Sequence, residues 1–463
     1  MHRKDDITSA LVKYVLELKY DDIPEDVIEE AKLRMLDSVG VAIPAYFSEP
    51  VFFIRKLLDN LICSSSYCTS YLLSNTSVPL DWAALVSSLM VRYLDFNDTY
   101  LSKEPLHPSD MIGGLAVVAS HVHASGKEFL TSVVLAYEVG CRLCDCGSLR
   151  LHGWDHVNYI LVATTLAVGR LLQLSEDKLA EALSIAVTSH AAMRQARVGE
   201  LSHWKALATA DSIRHAVYAC MLAKHGITGP DKPFRGEMAF LRQLLSNEFD
   251  PEPILQLENI PKPTKVKETI IKHFPVEIHS QTAVEAAQVI RQKLGHFTAE
   301  DISEIEIGTF RTGYEIIVKD PEKWDPKTKE TADHSLPWIT ATALIYGEVW
   351  LEHYEPERIR DQKVLSLLKR TRVYVDPDID RLYPKAIPNK VRVKLRDGRE
   401  AECRIDYPKG HPMNPMSFED VKLKFERLAK PYLTRDRIET IVSSIMKIEE
   451  IDDMSKLLRI LEL

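Results

Sequence analysis

The sequence has no run of eighteen or more apolar residues, the length that a membrane-spanning helix needs. Its first residues, MHRKDDITSALVKYV, carry acids where a secretory signal would need an apolar stretch. A cytoplasmic location and no membrane partner are therefore expected. Positive charge is also short: 58 Lys and Arg stand against 67 Asp and Glu, a net charge of −9, with an isoelectric point near 6.0. That excludes a broad electrostatic footprint for nucleic acid or anionic lipid and leaves room only for local basic pockets. Cysteine is sparse and odd in number, seven among 463 residues, which excludes the dense disulfide framework of small secreted domains. All seven are read as reduced thiols. Three fall in CRLCDC (141–146) and could offer thiolates to a metal or an iron–sulfur cluster. They end the apolar helix FLTSVVLAYEVG, however, where cysteine commonly serves as a small buried hydrophobe, and that reading is preferred. No metal at this cluster is expected. Internal repeats and low-complexity tracts are absent as well.

What is present is an ordinary globular composition, 45% hydrophobic and 27% charged, over a length that suits two or three domains. The first 264 residues read as helix after helix. DDITSALVKYVLELKY sets Leu11, Val12, Val15, Leu16 and Leu18 on one broad face, with Asp6 or Thr8 as cap. PEDVIEEAKLRMLDSVGVAI opens on Pro24 and acids, then loses its charges, so its end is expected inside the core. LAVVASHVHASGKEFLTSVVLAYEVGCRL gives two apolar helices broken at Ser125-Gly126, of the kind found inside bundles. SEDKLAEALSIAVTSHAAM begins on an acidic turn, and WKALATADSIRHAVYACMLAKHGITG ends in Gly226. After about residue 260 prolines and lysines interrupt the helices. ISEIEIGTF (302–310) alternates as a strand does, and KVRVKL and EAECRIDY form a hairpin about Arg396-Asp397-Gly398. The expected fold is mainly α with a second α+β domain: a large all-helical domain, 1–264 completed by the C-terminal 411–463, and a smaller α+β lid, 265–410.

The stretch YLDFNDTYLSKEPLHPSDMIGG (93–114) concentrates chemistry. Asp95, Asp98, Thr99, His107, Asp110 and the pair Gly113-Gly114 lie between apolar helices, which would hold polar groups at the edge of a core and suit proton transfer. A surface loop with an N-cap before a helix starting near Gly113 is the plain alternative. Four further places stand out. HGWDHV sets Asp155 and His156 at the entrance of an apolar helix, either an anion-binding terminus or a capping Asp beside an incidental His. Lys205 sits in an apolar run, where it either finds a carboxylate or snorkels to water. Lys272, His273, His279, Ser280 and Gln281 gather at the junction of the two expected domains, a common place for ligands. Asp333, His334 and Ser335 precede a helix and are mostly explained by capping.

YLDFNDTY, HPSD with its following GG, HGWDHV, WKALATADSIRHAVYAC, KHFPVEIHSQ and KWDPKTKETADHSLPW, in this order over nearly the whole chain, resemble the MmgE/PrpD family. Its members include a dehydratase of 2-methylcitrate, a decarboxylase of cis-aconitate and an epimerase of iminodisuccinate. The resemblance implies a homodimer, a helical domain with an α+β lid, an active site between them and no metal. It places family site positions at Asp95, Thr99, His107, His156, Lys205 and Lys272. His107 and His156 would share the acid and base roles with Asp95 orienting one imidazole; Thr99, Lys205 and Lys272 would bind a tricarboxylate. In the decarboxylase branch the segment corresponding to LSKEPL is shorter, and the histidine matching His156 directly follows an aromatic residue, whereas here Asp155 intervenes. The wording LDFNDT, HPSD and DHV is nearer the dehydratase branch, so the resemblance implies cofactor-independent loss of water from 2-methylcitrate in propionate breakdown. A lid tyrosine of the decarboxylase branch has no motif match, and Tyr314 is not assigned that role. Outside this class, a non-catalytic helical dimer that binds a carboxylate metabolite is the other reading.

Overall fold

The computed structural model describes residues 4–463 and divides them into two compact units. The first runs through Arg197, resumes for Trp204–Thr269 and is completed by Ser417–Leu463. Its long helices in the N-terminal part are α1 (Asp6–Glu17), α2 (Glu25–Ala45), α3 (Glu49–Leu58), α4 (Leu80–Arg92), α5 (Asp110–His121), α6 (Gly126–Cys146), α7 (Val157–Leu171), α8 (Glu176–Ser189) and α9 (Trp204–Lys224). Helices α4, α5 and α7 are buried along nearly their whole length, as sequences that are apolar except for charges near their ends demand. α4 packs between α5 and α9, and α7 packs against α6, α8 and α9. Close packing of α5 on α4 depends on Gly113, where an added Cβ would stand 2.5 Å from the Ser87 carbonyl oxygen. The small, uncharged end of α2 is buried as expected and receives the C-terminal helix Phe418–Ala429. That helix opens on a Ser417–Asp420 capping box.

Several boundaries differ from the sequence reading. The cap of α1 is Asp5, whose side chain accepts from Thr8 N, and not Asp6 or Thr8. Leu16 is 46% exposed and leaves the buried face, because one residue beyond Val15 the helix turns back toward solvent. Helix α5 begins at Asp110, three residues before Gly113, since the chain is already turned by backbone bonds from Asp110 and Met111 to His107 and Pro108. The expectation of seven reduced thiols fails for one pair: Cys63 and Cys68 form a disulfide. The chain from 63 to 80 doubles back on itself, with Cys63 N donating to Ser77 O and Cys68 facing Pro79 in the short ribbon of β1 (Cys68–Ser70) and β2 (Ser77–Pro79). Cysteine counting carries no information about such a local turn. Cys141, Cys144 and Cys146 are buried along α6, as small hydrophobes are, and burial pushes each thiol up from its usual range, which favours the protonated form over a metal-binding thiolate.

The second unit comprises Val198–His203 and Ile270–Met416. Its sheet has four strands, β3 (Ile302–Thr309), β4 (Thr371–Val375), β5 (Asn389–Leu395) and β6 (Glu400–Ile405), in the order β4-β3-β5-β6. β3 and β4 are parallel; β3–β5 and β5–β6 are antiparallel. The hairpin at 396–398 is present, with Gly398 at φ 93° as its turn requires. β4 was not foreseen, although TRVYV is rich in β-branched and aromatic residues, because its partner lies more than sixty residues earlier. Inward-facing Val391, Val393 and Leu395 pack with Ala283, Ala287 and Ile290 of helix Gln281–Leu294.

Candidate active site

The polar cluster of the first unit starts where α4 ends. Asp95 N donates to Arg92 O at 3.1 Å, and Asp95 adopts φ 53°, a left-handed conformation uncommon outside glycine. This tight turn points the Asp95 carboxylate back at its own helix, where the Arg92 guanidinium grips one oxygen. Lys205 Nζ, from the first turn of α9, lies 3.6 Å from the other. Arg92 Nε is also 3.6 Å from Asp110. All four side chains are buried, so the charges are held where their interaction is little screened. Lys205 thus finds its carboxylate and does not snorkel. Burial pushes the Asp110 carboxyl up to about 7, against the pull of Arg92 and the Asn97 amide.

From Asp95 the chain closes on itself. Asn97 Nδ2 donates to Ser109 Oγ (2.8 Å) and Asp110 Oδ1 (2.7 Å). Ser109 donates from N and Oγ to Asp98 Oδ1 (3.0 and 2.6 Å), and Tyr137 Oη of α6 donates to Asp98 Oδ2 at 2.8 Å. His107 Nδ1 lies 2.9 Å from the Asp98 carbonyl oxygen. A carbonyl only accepts, so Nδ1 carries a hydrogen and Nε2 is the nitrogen left to give or take a proton. The Thr99 hydroxyl stands 3.1 Å from the same Nδ1. Lys424, from helix Phe418–Ala429, fastens the loop from outside: its ammonium donates to Phe96 O at 2.8 Å, pairs with Asp37 at 2.6 Å and lies over the Phe96 ring.

His156 arrives from another direction, as the residue before α7. Its Nδ1 is 3.1 Å from Asp155 Oδ1, and its Nε2 is buried with no hydrogen-bond partner among the described residues. The rings of His107 and His156 meet edge to face with centroids 5.5 Å apart. Burial lowers the His156 pKa to about 3; Asp155 opposes the shift, while Arg197, Arg92 and Arg194 reinforce it. The ring is therefore neutral at ordinary pH. For Asp155 burial works upward, but Arg197 and His156 hold the carboxyl below its usual range.

The first unit thus brings together Asp95, Thr99, His107, His156 and Lys205. Lys272 belongs to the second unit, where it is buried and its charge, after those of His279 and His334, helps to keep Glu277 below the usual carboxylate range despite burial. In the same unit Glu277 pairs with His279 Nδ1 at 2.8 Å, and Ser335 caps helix Leu336–Tyr346, as the capping reading expected. Sequence reasoning missed Arg92, the carbonyl of Asp98 and Arg197. Arg92 was readable, because a helix-terminal Arg three residues before Asp95 is a natural ion-pair spacing. Arg197 had no such signal, since it reaches Asp155 only through a returning loop.

Two buried imidazoles, a Lys–Asp–Arg cluster and a hydroxyl make a site for proton transfer next to carboxylates, carried on a helical unit that is followed by an α+β unit. The MmgE/PrpD N-terminal domain matches residues 9–252 and the MmgE/PrpD C-terminal domain residues 274–447. The chain belongs to the MmgE/PrpD family. It is 29% identical to the 2-methylcitrate dehydratase of Salmonella typhi, over 92% of this chain and 91% of that protein. Identity is also 29% to the 2-methylcitrate dehydratase of Escherichia coli (strain K12), over 87% and 85%. To the cis-aconitate decarboxylase of Mus musculus it is 25%, over 98% and 93%. Dehydratases and decarboxylases are lyases, and this chain is an enzyme of that class. Among the described residues no helix is long and apolar enough to cross a membrane.

Proposed function

We propose that the protein removes water from 2-methylcitrate to give 2-methyl-cis-aconitate, without a cofactor. The observation that carries this reading is the facing pair His107 and His156, with His107 Nδ1 held by the Asp98 carbonyl and His156 Nδ1 3.1 Å from the Asp155 carboxylate. Elimination needs a base for the C–H proton beside a carboxylate, an acid for the departing hydroxyl, and cations for the substrate's negative charges. Neutral His156 suits the base: its Nε2 takes the proton, the C–H electron pair becomes the new double bond, and the C–O bond breaks. His107, carrying a second proton on Nε2, suits the acid: it gives that proton to the leaving hydroxide, which departs as water, and returns to the neutral ring. Asp95 pairs with Arg92 and Lys205 and, in place of the imidazole-orienting role expected from the sequence, orients that cationic cluster; Lys205 binds a substrate carboxylate, and Thr99 hydrogen-bonds the substrate hydroxyl or a carboxylate. Assignment of Lys272 as a second carboxylate-binding cation, of a homodimer and of a cytoplasmic location rests on the family resemblance. The names of the bacterial relatives support the choice of substrate.

The test is to incubate purified, chelator-treated protein with 2-methylcitrate, citrate and cis-aconitate and to follow the conjugated double bond by ultraviolet absorbance. A rise with 2-methylcitrate is expected. No rise, together with carbon dioxide release from cis-aconitate, would move the assignment to decarboxylation, the reading that the mouse relative favours.

A further inference from the structure

The residues that hold His156 are not those that hold His107, and they define a positioning device of their own. Asp155 is 1% exposed, yet both of its oxygens are engaged: Oδ1 lies 3.1 Å from His156 Nδ1, 3.3 Å from Val157 N, which donates to it, and 3.4 Å from Arg197 Nη2. Oδ2 accepts from Arg197 Nε at 2.9 Å. Arg197 presents a two-nitrogen fork, the geometry that fixes a carboxylate in a plane. The segment carrying Arg197 is itself stitched to the same turn. Asp155 N donates to Ala192 O (3.0 Å), Asn158 Nδ2 donates to the same carbonyl (3.0 Å), Asn158 Oδ1 accepts from Ala192 N (2.9 Å), and Arg194 N donates to Gly153 O (3.0 Å). Opposite these contacts, His156 Nε2 is buried and has no hydrogen-bond partner among the described residues.

We propose that Asp155 and Arg197 act as a positioning pair: Asp155 accepts the Nδ1 hydrogen of His156, Arg197 keeps Asp155 aligned and ionised, and together they leave the His156 lone pair on Nε2, aimed at the substrate proton. An imidazole whose Nδ1–H is bound to a carboxylate has one available tautomer, and a base must have the right one before substrate arrives. The carboxylate also stabilises the imidazolium formed after the proton moves. The guanidinium prevents Asp155 from taking that proton itself, which would strand the reaction. This inference rests on the dehydratase reading for its kinetic consequence, but not for its tautomer.

Asp155→Asn keeps the shape and exchanges an obligate acceptor for a group that can present an N–H to Nδ1. In that variant kcat for 2-methylcitrate is expected to fall about a hundredfold with KM changed less than about threefold. Arg197→Gln is expected to lower kcat about tenfold, with recovery in Arg197→Lys limited because lysine cannot bind both oxygens. Nitrogen NMR of protein labelled in histidine, with His156→Gln used for assignment, is expected to show the Nδ1–H form of His156 in the parent chain and the Nε2–H form in Asp155→Asn. If Asp155→Asn does not fold, Arg197→Gln and the spectrum of the parent chain carry the test. An Nε2–H tautomer in the parent chain, or kcat within threefold of the parent in a folded Asp155→Asn or Arg197→Gln, overturns the pair. Absence of turnover by the parent chain on all three acids defeats the dehydratase reading instead, and the tautomer measurement then decides the pair alone.

Discussion

The two histidine-bearing segments solve one problem in different ways. The loop at 95–110 is fixed mainly by itself: Asn97, Asp98, Ser109 and Asp110 bond one another across no more than thirteen residues, with Tyr137 and Lys424 added from elsewhere. The turn at 153–158 is short and fixed from outside, by 192–197 about forty residues later. His107 donates to a neutral carbonyl, whereas His156 Nδ1 stands 3.1 Å from a carboxylate backed by a guanidinium. A self-closed loop keeps its geometry as a unit. A turn held by a distant strap has a histidine whose state depends on a single ion pair.

Substitutions can break this comparison at either side, and the largest effect on turnover should come from the rings themselves. His107→Ala is expected to lower turnover at least a hundredfold, about 2.7 kcal/mol in the barrier, with the thermal midpoint little changed. A near-parental rate would remove His107 from the mechanism. Loss of the outside support of the first loop should be felt as stability: Lys424→Met leaves Asp37 buried without its cation, at a cost of about 3–5 kcal/mol in urea unfolding. An undiminished midpoint would show that the loop needs no such tether. Gly113→Ala should cost about 1–3 kcal/mol, because the new methyl meets backbone that cannot swing aside. Lys205→Met is expected to raise KM about tenfold, about 1.4 kcal/mol, while kcat falls less; the opposite split would assign Lys205 to the chemistry rather than to binding.

A further effect concerns acid and sharpens the contrast between the rings. The His156 pKa is lowered from 6.5 to about 3 by burial. Below 6.5 the unfolded chain takes up a proton that the folded chain refuses, so this group contributes stability above 6.5 that is lost as pH falls toward 3. His156→Gln should flatten that part of the stability profile, and equal slopes in the two proteins would count against a buried neutral ring.

Much of the fold was legible because it is written in local pattern. Helices that are apolar except near their ends, such as 80–92 and 157–171, belong inside a bundle, the acidic start at Glu176 and the C-terminal Gly226 mark ends, and Asp397-Gly398 marks a hairpin. The loop at 95–110 could be singled out for the same reason, since its partners are near in sequence. β4 and the Cys63–Cys68 bond could not, because pairing between strands and thiols depends on where the chain returns.

By itself, then, the sequence determined which residue types stand ready at 95, 99, 107, 156 and 205, and that helices of 3.6-residue period would carry them. Only the tertiary structure decided which nitrogen of each histidine is committed, that Asp95 takes a left-handed turn between Arg92 and Lys205, and that Arg197 governs Asp155. Tautomers, desolvation and ion pairing are set by neighbours within a few ångströms, and those neighbours come from parts of the chain whose meeting no local pattern records.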